Sequence, residues 1–142
     1  MEQTARRTPE VPIKELFLRA SEEIPGDARR SGVVAESLGY LQKGFDSHYD
    51  TGWPEDMDIL VGDRSYAWAI ETIARLDEPA FVAVASRLIR DGAGRISAEG
   101  DVDLEVWIPH LAGLLSIISG EEAGKSAVRI RAATGDLESP RS

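Results

Sequence analysis

Val34, Leu38, Leu41, Phe45 and His48 recur at spacings of four, three, four and three. That period lays one apolar stripe along a helix from about Asp27 to Tyr49, and a strand cannot produce it. Gly32, Gly39 and Gly44 interrupt the same segment. Each costs roughly 1 kcal/mol relative to alanine in a helix interior, so their presence together indicates close packing against this helix.

The rest of the chain follows the same period. Ile13, Leu16, Phe17, Ala20 and Ile24 predict a first helix from Pro12, broken by Pro25-Gly26-Asp27. After a loop over 50–58, a third helix is expected from about Met57 to Leu76. Ile59, Asp63, Tyr66, Ile70 and Ile73 share one side of it, with Leu60, Ala67 and Ala74 opposite, so it is expected to be central. Asp77-Glu78-Pro79 makes a tight junction in which Asp77 is the expected N-cap. A fourth helix from about Pro79 to Ser97 buries Phe81, Val84, Ala85, Leu88 and Ile89. A fifth apolar stretch runs from Val102 to Ile118, where Pro109 either marks a start near Trp107 and Ile108 or kinks a longer helix. Beyond Gly120 a weak amphipathic pattern extends to about Ala133. The expected organisation is a disordered arm over 1–11, a single all-α bundle over 12–133 and a loose tail over 134–142.

With 142 residues the chain can bury one core. Its formal net charge of −9 argues against nucleic acid as a partner, because phosphate contacts need clustered Lys and Arg. It has no cysteine, which removes disulfides and thiolate chemistry and fits a cytoplasmic location. No apolar run approaches the roughly eighteen residues of a membrane span, so no integral membrane segment is expected, and the opening residues lack the core of a signal peptide.

Few residues carry recognisable chemistry. Asp46 and Asp50 stand four apart at a helix end, where two carboxylates can share a Mg²⁺ ion, although such a pair is more commonly a solvated face. His48 lies on the apolar stripe as a hydrogen-bonded core or interface residue. His110 follows Pro109 with no evident partner, and two histidines make a histidine-based metal site improbable. Gly62-Asp63 reads equally well as a packing glycine beside a salt-bridged carboxylate or as part of a site. Gly120 to Ser126 ends in Gly-Lys-Ser like a phosphate loop, but only three residues instead of four separate its glycines, two of them are glutamates and no strand precedes it, so it is rejected.

Two stretches carry a family likeness. Leu41-Gln42-Lys43-Gly44-Phe45-Asp46-Ser47-His48 is similar to a Leu-Asp-Thr-His element, and Leu60-Val61-Gly62-Asp63-Arg64-Ser65-Tyr66 to a Leu-Ala-Gly-Asp-Tyr-Tyr helix. Both elements belong to the non-catalytic small subunit of heterodimeric trans-prenyltransferases, the component I type of heptaprenyl or hexaprenyl diphosphate synthase. The chain resembles that family over about 55 residues, to Ile96. Complete synthases carry Asp-Asp-x-x-Asp; here Asp46 and Asp50 fall on its first and last positions and Ser47 on the second. Thr51 to Val61 contains no Arg or Lys to supply the arginine pair of complete enzymes, and no second aspartate-rich motif follows.

The resemblance implies a truncated isoprenoid-synthase bundle with no catalytic residues and no metal or cofactor of its own. It would act as an accessory or regulatory subunit of an all-trans polyprenyl diphosphate synthase whose catalytic large subunit binds Mg²⁺. It would complete the elongation tunnel and set product length, as for a menaquinone side chain. Leu41, Phe45, His48, Gly62, Asp63, Tyr66, Trp68, Ile70 and Ile73 are the tunnel or interface candidates that follow. Two rivals stand beside this reading. One is an orphan helical homodimer binding an apolar or isoprenoid ligand without catalysis. The other is a Mg²⁺-dependent phosphohydrolase using Asp46, Asp50 and Asp63.

Overall fold

The computed structural model describes residues 7–24, 26–49 and 55–138, with the backbone alone over 55–62. Among the described residues the chain forms six helices and no strand: α1 (Ile13–Ala20), α2 (Ala28–Ser47), α3 (Glu55–Ala74), α4 (Pro79–Ser97), α5 (Leu104–Ser119) and α6 (Ala123–Glu138). The expected all-α bundle is the observed one. Each helix packs on the next in sequence, α6 returns to α1, and α2 also touches α4 and α5. Short connections make sequential packing the natural solution, since neighbours in sequence are neighbours in space. No helix is long and apolar enough to cross a membrane.

The stripe on α2 does what its spacing predicts: Val34, Leu38, Leu41 and Phe45 are buried, and His48 is half-buried at the helix end. Phe17, Ile73, Phe81, Leu88, Trp107, Leu111 and Leu114 complete a core without solvent contact. On α3 the expected burial on both sides is not met at Ala67 and Ala74, while the side chain of Leu60 lies outside the described residues. Ser65, Ala69, Thr72 and Ile73 face inward, whereas Ala67, Trp68 and Ala74 are exposed. An alanine offers little apolar area, so a side built from Ala67 and Ala74 gains too little to require covering. One buried polar bond also ties α3 to α2, from Ser37 Oγ to the Ala69 carbonyl at 2.7 Å.

The turn between α3 and α4 corrects the assignment of Asp77. Its φ of 56° is left-handed, a conformation aspartate tolerates better than most residues, and it reverses the chain instead of capping α4. The N-cap is Glu78, with Pro79 in the first turn. The Glu78 carboxylate is held by Arg30, whose Nε and Nη2 donate to it at 3.0 and 2.8 Å. For α5 the longer helix holds: Asp103 caps it by accepting from the Val106 N–H, and Pro109 lies inside it.

Among the described residues, the segments nearest the two ends of the chain are held by specific contacts. Arg7 donates to Asp101 Oδ1 at 2.9 Å and to the carbonyls of Glu99 and Gly100 at 2.7 and 3.0 Å. Its carbonyl accepts from the Val102 N–H, and its guanidinium lies 4.9 Å from the centre of the Tyr49 ring. One arginine thus fastens residues 7–11, expected to be a loose arm, to the turn before α5 and the end of α2. Gln42 holds the same segment by donating to the Val11 carbonyl and accepting from the Ile13 N–H. At the other end α6 continues to Glu138, through residues expected to be a loose tail, with Thr134 buried and Leu137 half-buried against the core.

Candidate functional site

The two stretches that carry the family likeness meet at the end of α2. A Cβ placed on Gly44 would overlap the ring of Tyr66 from α3, so that ring can lie on the α2 backbone only because position 44 has no side chain. Phe45 and Tyr66 are 5.4 Å apart between ring centres, and Phe45 meets Trp107 of α5 edge-on at 5.5 Å. His48 stacks on Tyr66, with ring centres 6.1 Å apart and planes nearly parallel. On α4, a Cβ at Gly92 would overlap the Phe45 ring. Four helices therefore converge on one aromatic cluster, with glycines at the two closest approaches.

Of the three glycines in α2, Gly44 alone is required by contact. Gly39 meets only the stem of Lys14 at ordinary distance, and Gly32 meets nothing. Gly92 and Trp107 belong to the cluster but carry no signal of it in sequence. Gly92 falls inside the expected fourth helix with nothing to mark a close approach, and Trp107 reads as one apolar residue among many.

The proposed tunnel or interface residues divide by exposure. Leu41, Phe45 and Ile73 are completely buried within this chain and present no surface to a partner. His48, Tyr66 and Ile70 are half-buried, while Asp63 and Trp68 are exposed. Asp63 is therefore not the buried carboxylate its neighbours suggested, because α3 turns it outward. The side-chain surroundings of Gly62, and all of Asp50, lie outside the described residues. Asp46 is half-buried, and the Ser47 hydroxyl donates back to the Gly44 carbonyl at 2.7 Å, closing on its own helix.

Trp68 stands out on the surface of α3. It is 43% exposed, meets Tyr40 of α2 edge-on at 5.6 Å, and lies under the Arg64 guanidinium at 6.0 Å. The result is a small aromatic platform with a cation beside it.

Among the described residues, two buried polar atoms of the cluster have no hydrogen-bond partner: the Tyr66 hydroxyl and the Trp107 indole Nε1. Burial, together with the charge of Asp63, pushes the Tyr66 phenol well above the usual tyrosine range. A raised folded-state value means that stability is fully present below the unfolded value near ~10 and is lost as pH rises beyond it. The loss should approach about 1.4 kcal/mol per pH unit. Tyr66→Phe should flatten this alkaline fall and, by removing an unsatisfied buried hydroxyl, stabilise the isolated chain by about 1 kcal/mol at neutral pH. Urea titrations at pH values on either side of the tyrosine range test both effects. A destabilised variant would mean that the hydroxyl has a partner after all.

Among the described residues no three His, Asp or Glu side chains converge as a metal ion would require. The phosphohydrolase reading therefore gains no ligand set from the described residues. The arrangement instead offers a rigid aromatic cluster where two helices approach, and an exposed platform on the outer face of the same pair. No known protein family matches this chain, and neither a curated protein nor a solved structure does.

Proposed function

We propose that this chain is the accessory subunit of a heterodimeric all-trans polyprenyl diphosphate synthase, helping to form the elongation tunnel and set product length, as for a menaquinone side chain. The observation that supports this reading is the convergence of its two family-like stretches: Tyr66 lies on Gly44 and meets the rings of Phe45 and His48. The missing Cβ at Gly44 is what lets these two consecutive helices approach so closely at that point.

In this role the large subunit supplies both aspartate-rich motifs and Mg²⁺, and this chain supplies wall and contact surface. Leu41, Phe45 and Ile73 hold the pair from inside. The contact falls to Trp68, Tyr40 and Arg64, since interface energy concentrates in aromatic and arginine side chains that become desolvated.

The test mixes this chain with the long-chain prenyl synthase homologue of the same organism and follows incorporation of labelled isopentenyl diphosphate and product length. Activity or longer product in the mixture alone is the expected result. Trp68→Ala should weaken the complex by at least about tenfold, about 1.4 kcal/mol, while leaving the thermal midpoint of the isolated chain nearly unchanged. Unaltered products and no complex would defeat the proposal and favour the homodimer that binds an apolar or isoprenoid ligand.

A further inference from the structure

α3 packs mainly on α2 and α4. Along its opposite side Arg64, Ala67, Trp68, Glu71, Ala74 and Arg75 are all exposed. Spacings of three and four join them into one continuous strip over three turns of the helix.

At a net charge of −9, two copies of this chain repel each other over most of their surface. The strip on α3 differs, since it sets two arginines against one glutamate. Among the described residues Arg64 forms no ion pair, and its guanidinium lies 6.0 Å from the centre of the Trp68 ring. Glu71 is held among them by Arg75 alone, at 4.0 Å, with both side chains largely in water. So loose a surface pair adds almost nothing to stability and leaves the carboxylate open to a better partner.

The order of these residues is self-complementary. When α3 lies antiparallel on a second α3, about a two-fold axis between positions 67 and 68, Arg64 comes opposite Glu71 of the second copy. By symmetry Glu71 comes opposite the second copy's Arg64. The same axis sets each Trp68 indole over the other copy's Ala67, where a methyl group leaves room for a ring. Tyr40 of α2 meets that indole edge-on at 5.6 Å, so the ring is already supported and little freedom is lost on contact. In a parallel pairing each charge would face its own like, and the match disappears.

We propose that the platform on α3 docks a second copy of this chain, in an antiparallel dimer held by Trp68 on Ala67 and by two Arg64–Glu71 pairs. A strip of three turns buries less than a standard interface, so the dimer is weak, with a Kd on the order of 100 µM. The inference does not rest on the accessory-subunit reading. Where a large subunit is present, the second copy competes with it for the same face.

Sedimentation equilibrium of the full chain, from about 5 µM to about 1 mM, tests the inference. The mass should rise from monomer to dimer and stop there. Arg64→Glu and Glu71→Arg should each weaken the dimer by about tenfold or more, because each sets two like-charge pairs across the axis. Mixing the two variants should restore a dimer of nearly the original strength, since both pairs then join opposite charges. All these positions are exposed, and an unaltered far-ultraviolet signal will show that the fold is intact. A monomer at every concentration, a dimer that ignores both charge reversals, or a mixture no stronger than its components would overturn the inference. No prenyl synthase takes part, so none of these results touches the accessory-subunit reading.

Discussion

Phe45→Ala is expected to lower the stability of the chain by about 3–5 kcal/mol, the usual range for emptying a phenyl-sized volume in a core. Phe45 has no solvent exposure and touches side chains or backbone from three other helices: Tyr66 of α3, Gly92 of α4 and Trp107 of α5. Local collapse cannot refill the space, because each wall belongs to a different helix that is held by other contacts. A urea unfolding series measures the effect, and the near-ultraviolet signal of Trp107 should lose intensity in the same variant. A loss below about 1 kcal/mol would mean that the four helices do not converge on this ring.

Gly92→Ala should be the unusual case in which an alanine in a helix interior destabilises. Helix propensity alone favours the change by about 1 kcal/mol. The added methyl, however, would overlap the Phe45 ring, which is itself pinned between Tyr66 and Trp107. Overpacking of this kind costs enough to reverse the sign, and we expect a net loss of about 2 kcal/mol. Gly32→Ala is the matched control: it lies in the interior of α2 with nothing within 4 Å of its Cβ, and it should gain about 0.5–1 kcal/mol. Combining Gly92→Ala with Phe45→Leu should cost less than the two changes summed, since the smaller side chain relieves the overlap. Strict additivity would show that the two positions do not touch.

These predictions bear on function through geometry. The helix pair that carries the family-like stretches is braced from behind by Phe45, Gly92 and Trp107, and its outer face carries Trp68. Under the proposed function, variants of the brace should lower stability and partner binding together, whereas Trp68→Ala should separate the two.

Much of the architecture is legible in the apolar period. Val34, Leu38, Leu41 and Phe45 predict the buried face of α2, and Phe81, Val84, Ala85 and Leu88 predict that of α4, because a helix repeats every 3.6 residues whatever its neighbours are. The bounds of α4 were readable as well, from Pro79 at its first turn. Less legible were the sides that a helix leaves uncovered. Periodicity shows which residues share a face, and area decides whether the face is worth burying, so Ala67 and Ala74 misled where Ile73 did not.

Asp77 shows the same division at a turn. An aspartate before a proline-led helix is a sound N-cap by composition, but the direction in which α4 had to leave α3 required a left-handed residue there. His110 looked partnerless because its partner, Asp91, lies on the preceding helix. Arg7 looked like part of a loose arm because the carbonyls it gathers belong to a turn more than ninety residues away.

By itself, then, the sequence determined the helical class and the inward faces of the strongest helices. All of these depend on residues close together along the chain, where the helix repeat converts spacing directly into direction. Only the tertiary structure decided which glycines serve close approach and that Asp63 points outward. Those outcomes depend on which atoms of distant segments come to share a few ångströms, and that is settled when the helices pack and their charges pair.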